Sequence, residues 1–283
     1  MIVAQPVITV GMVGRPGRDL HQETIGSVYE QLGPDDDLLQ ASVDESGSLA
    51  AACNTILREA TGDVVAFISG DGQPVEGWLE SVRRAFLDQG IDAVAGAVGP
   101  SAARKDRSVR PGGRLRWTGH LVSDYVTEKQ AVTSLASGEN CAVRRLVALK
   151  LGGFDEAFTS EWPHEDVEFF TRLIKTGGRM LYIPGARLLP EQRHSPTGSG
   201  GSPEEILEQE ARHSRSMAAI FARHEAWALL IMVASHMLVT FVEVFGSRLP
   251  RTAPVRIARE MMDGVRVGVR PVTSPFEKGG KRK

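Results

Sequence analysis

Between residues 6 and 98 short apolar runs alternate with amphipathic ones, and few architectures accept that order. Residues 6–13 (PVITVGMV) are rich in β-branched side chains and run into glycines and Pro16, which predicts a buried first strand. Residues 21–32 set Ile25, Val28, Tyr29 and Leu32 on one helical face, closed by Gly33-Pro34. Residues 38–43 can form a second strand. Residues 48–60 gather Leu49, Ala52, Cys53, Ile56 and Leu57 on one face, with Ser46 or Ser48 as N-cap. Residues 64–68 (VVAFI) form the continuous apolar run of a strand covered on both faces. A polar loop at 69–74, a helix at 75–87 and a strand at 93–98 follow. This rhythm predicts an α/β sheet with right-handed crossovers, whose ligands bind beyond the carboxyl ends of the strands. The loop after residue 68 is therefore the first place to look for chemistry.

The second half is less regular. Residues 101–113 (SAARKDRSVRPGG) read as a basic, mobile surface loop, 131–136 as a strand and 143–151 as a short helix stopped by Gly152-Gly153. Residues 165–176 form an amphipathic helix ending at Gly177, and 180–183 a strand stopped by Pro184. Residues 195–202 are a flexible Gly/Ser loop, and Pro203 opens a helix reaching about Arg223. Residues 226–242 hold no formal charge between Glu225 and Glu243. As a helix this stretch spans ~25 Å, short of a hydrocarbon core of about 30 Å. A buried or oligomer-contact helix, a helix lying in a membrane surface and a true span all remain open. Arginines on both sides suit anionic headgroups.

Composition excludes several classes. With 33 basic against 35 acidic residues the net charge is −2, so no global basic field points to nucleic acid. Two cysteines, Cys53 and Cys141, exclude a Cys-based zinc site and suit a reducing compartment. The start of the chain lacks a signal-peptide pattern, so the expected location is cytoplasmic.

Three stretches carry more specific information. Residues 60–80, ATGDVVAFISGDGQPVEGWLE, are similar to the segment A-x-G-D-(apolar)-F-(L/I)-D-x-D-x-x-P-x-x-W-L of the inverting glycosyltransferases of family 2. Residues 137–156, SGENCAVRRLVALKLGGFDE, resemble that family's G-x-N-x-x-x-R-R … G-G-F-D-E. Residues 164–186, HEDVEFFTRLIKTGGRMLYIPGA, resemble its E-D-x-(D/E)-(apolar)-x-x-R … Y-x-P-x-A. Order and spacing match across about residues 6–195. The resemblance implies the GT-A fold: a Rossmann-like, mixed but mostly parallel sheet with flanking helices, here with a C-terminal helical, apolar extension.

The resemblance also assigns roles. A nucleotide-diphospho-sugar donor loses a diphosphate whose charge must be neutralised, work suited to Mg²⁺ or Mn²⁺ on carboxylate oxygen. Asp71 falls on the last Asp of the family's D-x-D, the metal ligand, with Gly70 permitting close backbone approach and Ser69 replacing the earlier Asp. The acceptor hydroxyl must lose a proton to a carboxylate. The family's base falls on Asp166, at a helix start where the dipole favours a carboxylate, with Glu165 positioning the acceptor or the loop. Gly138, Glu139 and Asn140 fall on the sugar pocket, Trp162 is a candidate stacking ring, Arg144 a candidate diphosphate partner and His194 a second metal ligand. Each has a plainer reading: a turn Asp, helix-capping acids, an ordinary turn, a packing ring, a solvated Arg, a loop His.

One departure stands out beside Ser69. One β-α unit of the family is missing before residue 64, so residues 42–54 serve for two elements. Asp44 is then the base-recognition Asp, or Glu45-Ser46-Gly47 corresponds to a later N-x-G element; both readings stand.

The expected organisation is a GT-A domain at 1–195, a loop at 196–203, a C-terminal helical segment at 204–265 and a disordered basic tail at 266–283. The expected activity is inverting sugar transfer from a nucleotide-diphosphate donor to a sugar, lipid-linked or other hydroxyl acceptor in cell-envelope or glycoconjugate synthesis, at the cytoplasmic face of a membrane. The alternatives are a degenerate, non-catalytic nucleotide-sugar- or partner-binding protein and, more remotely, nucleotidyl transfer using the loop Gly14-Arg15-Pro16-Gly17-Arg18.

Overall fold

A computed structural model describes residues 5–14, 20–101, 110–159, 163–190, 202–246, 249–272 and 276. Its elements run β1 (Ile8–Gly14), α1 (Gln22–Tyr29), β2 (Asp37–Ser42), α2 (Val43–Ser46), α3 (Leu49–Glu59), β3 (Val64–Ser69), β4 (Gly72–Pro74), α4 (Trp78–Ala85) and β5 (Ala93–Val98). A hairpin of β6 (Gly112–Leu115) and β7 (Leu121–Asp124) follows, then β8 (Ala131–Thr133), β9 (Asn140–Arg144), α5 (Arg145–Lys150), α6 (Glu165–Lys175) and β10 (Met180–Pro190). The C-terminal layer is α7 (Pro203–His224), a 3₁₀ turn (Ala226–Ala228), α8 (Leu229–Phe245) and α9 (Ala253–Gly268).

The main sheet has the order β2-β1-β3-β9-β5-β10-β4, with β8 pairing on β10. β1 is parallel to β2 and β3, and β5 to β10, while β9 runs antiparallel between β3 and β5. The period-two pattern of VVAFI separates the two cores. Val64, Ala66 and Ile68 meet α1 and α4, whose Val28, Trp78, Leu79 and Val82 are buried there. Val65 and Phe67 meet α3, α5 and α6 on the other face, a core that continues through Phe221 of α7 to Ile257 and Met261 of α9. The C-terminal helices therefore share one apolar core with the sheet.

The expected strands and helices of residues 6–68 appear, and Ser48 caps α3, its hydroxyl accepting from Ala51 N at 3.1 Å. Between β2 and β3 the chain forms only α2 and α3, so no further strand enters there. Other expectations are corrected. The loop at 69–74 contains β4, because antiparallel pairing with Leu188–Pro190 draws Gly72–Pro74 into the sheet edge. Residues 140–144 form a central strand, and the helix expected from 143 starts at Arg145; only Cys141, Ala142 and Val143 are apolar, and periodicity alone does not separate strand from helix over so short a run. Pro184 does not end β10: a register shift between Ile183 and Arg187 absorbs the proline, and pairing with β5 resumes. Gly112 and Gly113 open β6 rather than closing a loop, and β8 stops at Thr133. α9 runs to Gly268, past the expected helix limit at 265. The loop at 196–201 and most of the tail lie outside the described residues.

α9 owes its position to small residues. A Cβ at Gly264 would overlap the Arg215 carbonyl and stand 3.0 Å from Ala218 Cβ, and one at Gly268 would overlap the Ala219 carbonyl. Glycines four apart thus let α9 lie directly on the α7 backbone.

Candidate active site

The parallel strands and the antiparallel β9 bring particular loops to one edge. β1, β2, β3 and β5 end there at Gly14, Ser42, Ser69 and Val98, and β9 begins there, since Asn140 is paired with Ile68. The strand order β2-β1-β3 makes β1 a topological switch point, and open α/β sheets bind ligands beyond the carboxyl ends of their strands at such a point.

Three backbone contacts tie the candidate residues together. Ser69 N donates to Glu139 O at 2.9 Å, so the turn at 137–140 is fastened to the end of β3. Gly70 N donates to Val13 O at 3.3 Å, fastening the same loop to β1. Gly138 N donates to Asp166 Oδ2 at 2.9 Å, fastening that turn to the start of α6. A Cβ at Gly138 would come within 3.2 Å of this carboxylate oxygen, so the position needs glycine for the approach. Ser69, Gly70, Asp71, Gly138, Glu139, Glu165 and Asp166 therefore lie around one loop cluster.

Asp71 is half-buried, and its Oδ1 accepts from the Ser69 hydroxyl. Serine in place of the earlier Asp thus orients the remaining carboxylate. Asp166 is half-buried, and its Oδ1 accepts from Val167 N at 2.8 Å. Burial, the largest effect, raises its pKa above the ordinary carboxylate value against the lowering pull of the N–H groups of Gly138 and Val167. A raised pKa makes a carboxylate a better proton acceptor. Glu165, beside it, is buried.

His164, the N-cap of α6, holds φ 79°, ψ 31° without a side-chain cap bond. Among the described residues it alone combines a side chain with positive φ. Such a residue is held by its surroundings at an energetic cost, and these positions gather at functional sites.

Two assignments are corrected. Arg144 pairs with Val64 at the opposite end of β3, about 16 Å along the strands from Ser69. Its guanidinium is committed to the carbonyls of Ile91 (2.7 Å), Phe86 and Asp88 (3.0 Å each), so it braces the far edge rather than meeting a diphosphate. Asn140 is 1% exposed, and its amide is spent inside the fold. Its Nδ2 donates to Ala97 O (2.7 Å) and Ala186 O (2.8 Å), and its Oδ1 accepts from Trp78 Nε1 (2.9 Å). It ties three strands to α4 and offers no group to a sugar. Asp44 falls in α2, directly after β2. Trp162 and His194 lie outside the described residues.

Residues to which the sequence reading gave no role complete the frame, among them Glu168 and Arg172, the (D/E) and R of the third stretch. Asn54 holds the GGFDE turn, donating to Phe154 O (2.9 Å) and accepting from Phe154 N (2.8 Å). Arg172 donates to Leu151 O and to Gly153 O (2.8 Å), and pairs with the fully buried Glu168 (2.7 Å). Glu168 also meets Arg223 (3.2 Å) and His224 (2.9 Å) of α7. Burial raises the Glu168 pKa, but the His224 bond and the Arg172 charge overcome it and hold the group at about 2. Acids and bases four apart inside α6 were the available signal, hidden because such pairs are usually solvent-exposed.

A metal has limited support from the described residues. No group of three or more His, Cys, Asp or Glu among them is arranged around a common point. Mg²⁺ commonly binds through one or two carboxylates and takes its other oxygens from phosphate and water, and the half-buried Asp71 at the sheet edge fits that pattern.

Comparison with known proteins agrees with this architecture. Residues 43–152 match the model of Glycosyl transferase family 2. The chain resembles glycosyltransferase family 2. The match covers Ser69–Asp71 and the turn at 137–140 and ends before Asp166. The chain is 27% identical over 215 residues to a pre-mycofactocin glycosyltransferase of Mycobacterium tuberculosis, covering 74% of this chain and 43% of that protein. It is 28% identical over 153 residues to an N-acetylglucosaminyl-diphospho-decaprenol L-rhamnosyltransferase of the same organism, covering 47% and 48%. The chain thus spans less than half the length of either relative. Among solved structures, S. aureus TarS superposes with TM-score 0.55 at 15% identity, over 92% of this chain and 82% of that one. GalNAc-T7 with UDP, GalNAc and Mn²⁺ superposes with TM-score 0.53 at 13% identity, over 87% and 59%. At these identities the likeness establishes the GT-A fold.

Proposed function

We propose that this chain is a glycosyltransferase that moves a sugar from a nucleotide-diphosphate donor to an acceptor hydroxyl with inversion at the anomeric carbon. The observation that carries this reading is the turn at 137–140. It binds Asp166 through Gly138 and the end of β3 through Glu139, which supports a reading in which two half-buried carboxylates, Asp71 and Asp166, serve one site. Asp166 takes the proton of the attacking hydroxyl, aided by its raised pKa. Glu165 shapes the loop beside it. The donor lies against Ser69-Gly70-Asp71, with Asp44 near its base and Gly138 and Glu139 near its sugar. Asp71 would hold a divalent cation there, with His194 as a second ligand, and the cation supplies charge neutralisation of the departing diphosphate.

The organisation follows: the sheet and α1–α6 carry donor chemistry, and α7–α9 form a layer that covers one face. α8 is the membrane-facing element of that layer. Together with the preceding turn it forms a predominantly apolar stretch of 20 residues, Ala226–Phe245, of mean hydropathy 2.1, long enough to cross a membrane. Yet Met232, His236 and Thr240 bury one stripe against the protein, while Leu230, Leu238, Val242 and Phe245 are 59–87% exposed on the other side. A helix docked along one face and bare along the other fits a position in the plane of the lipid surface. Acceptors of the cell envelope, including lipid-linked ones, would reach the crevice from that surface at the cytoplasmic face.

The test is transfer from a panel of nucleotide sugars to hydroxyl acceptors with Mn²⁺, reading nucleoside diphosphate release and the product's anomeric configuration. Asp166→Asn is expected to lower turnover by about 10²–10⁴-fold with donor binding retained. Donor binding without transfer to any acceptor would establish the non-catalytic alternative, and retained configuration would remove Asp166 from its role.

A further inference from the structure

Four of the chain's seven histidines meet at a cavity that the proposed chemistry leaves unused. The cavity, of about 740 Å³, lies between the start of α6, α7, α8 and the turn of the β6–β7 hairpin. His120, His236 and His213 are stacked as a ladder, with successive centroids 5.4 Å apart and planes within 13°. The ladder ends on His164: His213 Nδ1 and His164 Nε2 share a hydrogen bond of 3.0 Å, with the rings near perpendicular. In the middle of the ladder, His236 Nδ1 meets the Ser214 hydroxyl at 3.1 Å.

His164 is the left-handed N-cap two residues before Asp166. A strained residue without a cap bond keeps its conformation only if something outside the helix holds it. Here the outside contact is His213, on the C-terminal layer.

We infer that His213 is a positioning residue: its bond to His164 holds the start of α6, and with it Asp166, in place, and protonation of the imidazole ladder releases that hold. This rests on the proposed role of Asp166 for its effect on turnover, but not for its effect on structure.

The physical reason is that the ladder needs neutral rings. The His213–His164 bond requires one N–H and one bare nitrogen, so a proton on each ring would set two donors against each other. Burial lowers the pKa of His164 to about 4 and, with the neighbouring rings, that of His213 and His236 to about 3. Folded values below the ordinary 6.5 mean that the packed ladder is favoured above that pH and loses ground as pH falls. The charged groups facing the rings do not cancel this. α7 brings Glu205, Glu208, Glu210 and Arg212 to the cavity. α8 brings Glu243, which with burial raises the Glu210 pKa; burial is the larger cause. α6 brings Glu165 and Asp166 just beyond His164, and the hairpin brings His120. Glu208 is paired with Arg212 at 3.0 Å and with Arg256.

The test is hydrogen exchange of the full chain, following the peptide over residues 163–170 between about pH 7.5 and pH 5.5 with intrinsic rates corrected, beside transfer kinetics. In the wild type, opening should rise by about tenfold per pH unit below 6.5 for each ring released. His213→Gln keeps a donor to His164 and cannot titrate. It should match wild-type protection at the upper pH and lose about one decade per unit of the acid response. His213→Leu should expose the segment at every pH and lower kcat with donor KM little changed. Wild-type protection that is flat across this range, or His213→Gln with the wild-type acid slope, overturns the inference. If no donor is turned over, the exchange arm still decides it.

Discussion

Replacing Asn140 by alanine separates a brace from a sugar-binding residue. The side chain makes three buried hydrogen bonds, to Ala97 O, Ala186 O and Trp78 Nε1, at 2.7–2.9 Å. Alanine leaves an indole N–H and two carbonyls without these partners in a site that is 1% exposed. Each orphaned buried group costs about 1–3 kcal/mol. Because a water can fill the small void and recover part of this, the loss should be about 3–6 kcal/mol. Against a typical total of about 5–15 kcal/mol, that is a large fraction of the fold's stability. Urea denaturation followed by tryptophan emission measures it, read as a lower midpoint at unchanged slope. The void also adjoins Gly96, over whose Cα the Asn140 amide is packed, so no neighbouring side chain closes in from that strand. A loss below about 1 kcal/mol, accompanied by a raised donor KM, would refute the reasoning and return Asn140 to the sugar pocket.

Glu168, held at about 2 against an ordinary 4.5, contributes stability that is fully present above about pH 4.5 and lost as pH falls towards 2. Acid unfolding of Glu168→Gln should lose this component of the wild-type profile while starting from a lower plateau, since its buried partner Arg172 then lacks a counter-charge, whereas Arg223 keeps Asp155 at 2.6 Å. Gly264→Ala forces α9 off the α7 backbone and should destabilise by about 1–3 kcal/mol despite alanine's better helix propensity, with thermal unfolding as the measurement. The pair Leu238→Glu and Phe245→Glu should abolish cosedimentation with anionic vesicles and leave the unfolding midpoint nearly unchanged, because both side chains are 66–87% exposed. Wild-type protein that stays in the supernatant but self-associates with concentration would assign the apolar face to a second copy of the chain.

The sheet's first half was legible in the sequence because its signals are local. VVAFI carries strand propensity and two-sided burial in one run, and Ser48 before Leu49 announces a helix start. The carboxylates Asp71 and Asp166 were legible for the same reason, each standing in a short stretch of recognisable pattern. β9 was not, because a five-residue stretch with three apolar residues becomes a strand only when two strands from elsewhere accept it between them. Nor was the inward turn of Asn140 or the distance of Arg144 from the Ser69–Asp71 loop, which follow from the antiparallel direction of β9: its start meets the end of β3 and its end is carried away. The histidine ladder joins residues up to 116 positions apart on four elements, none in a motif. Residue types and their near neighbours set the elements and named the carboxylates. Which side chains gather at the loop cluster, which are spent holding the fold and which histidines share a cavity were decided by long-range packing, because burial and hydrogen bonding act across space and leave no period along the chain.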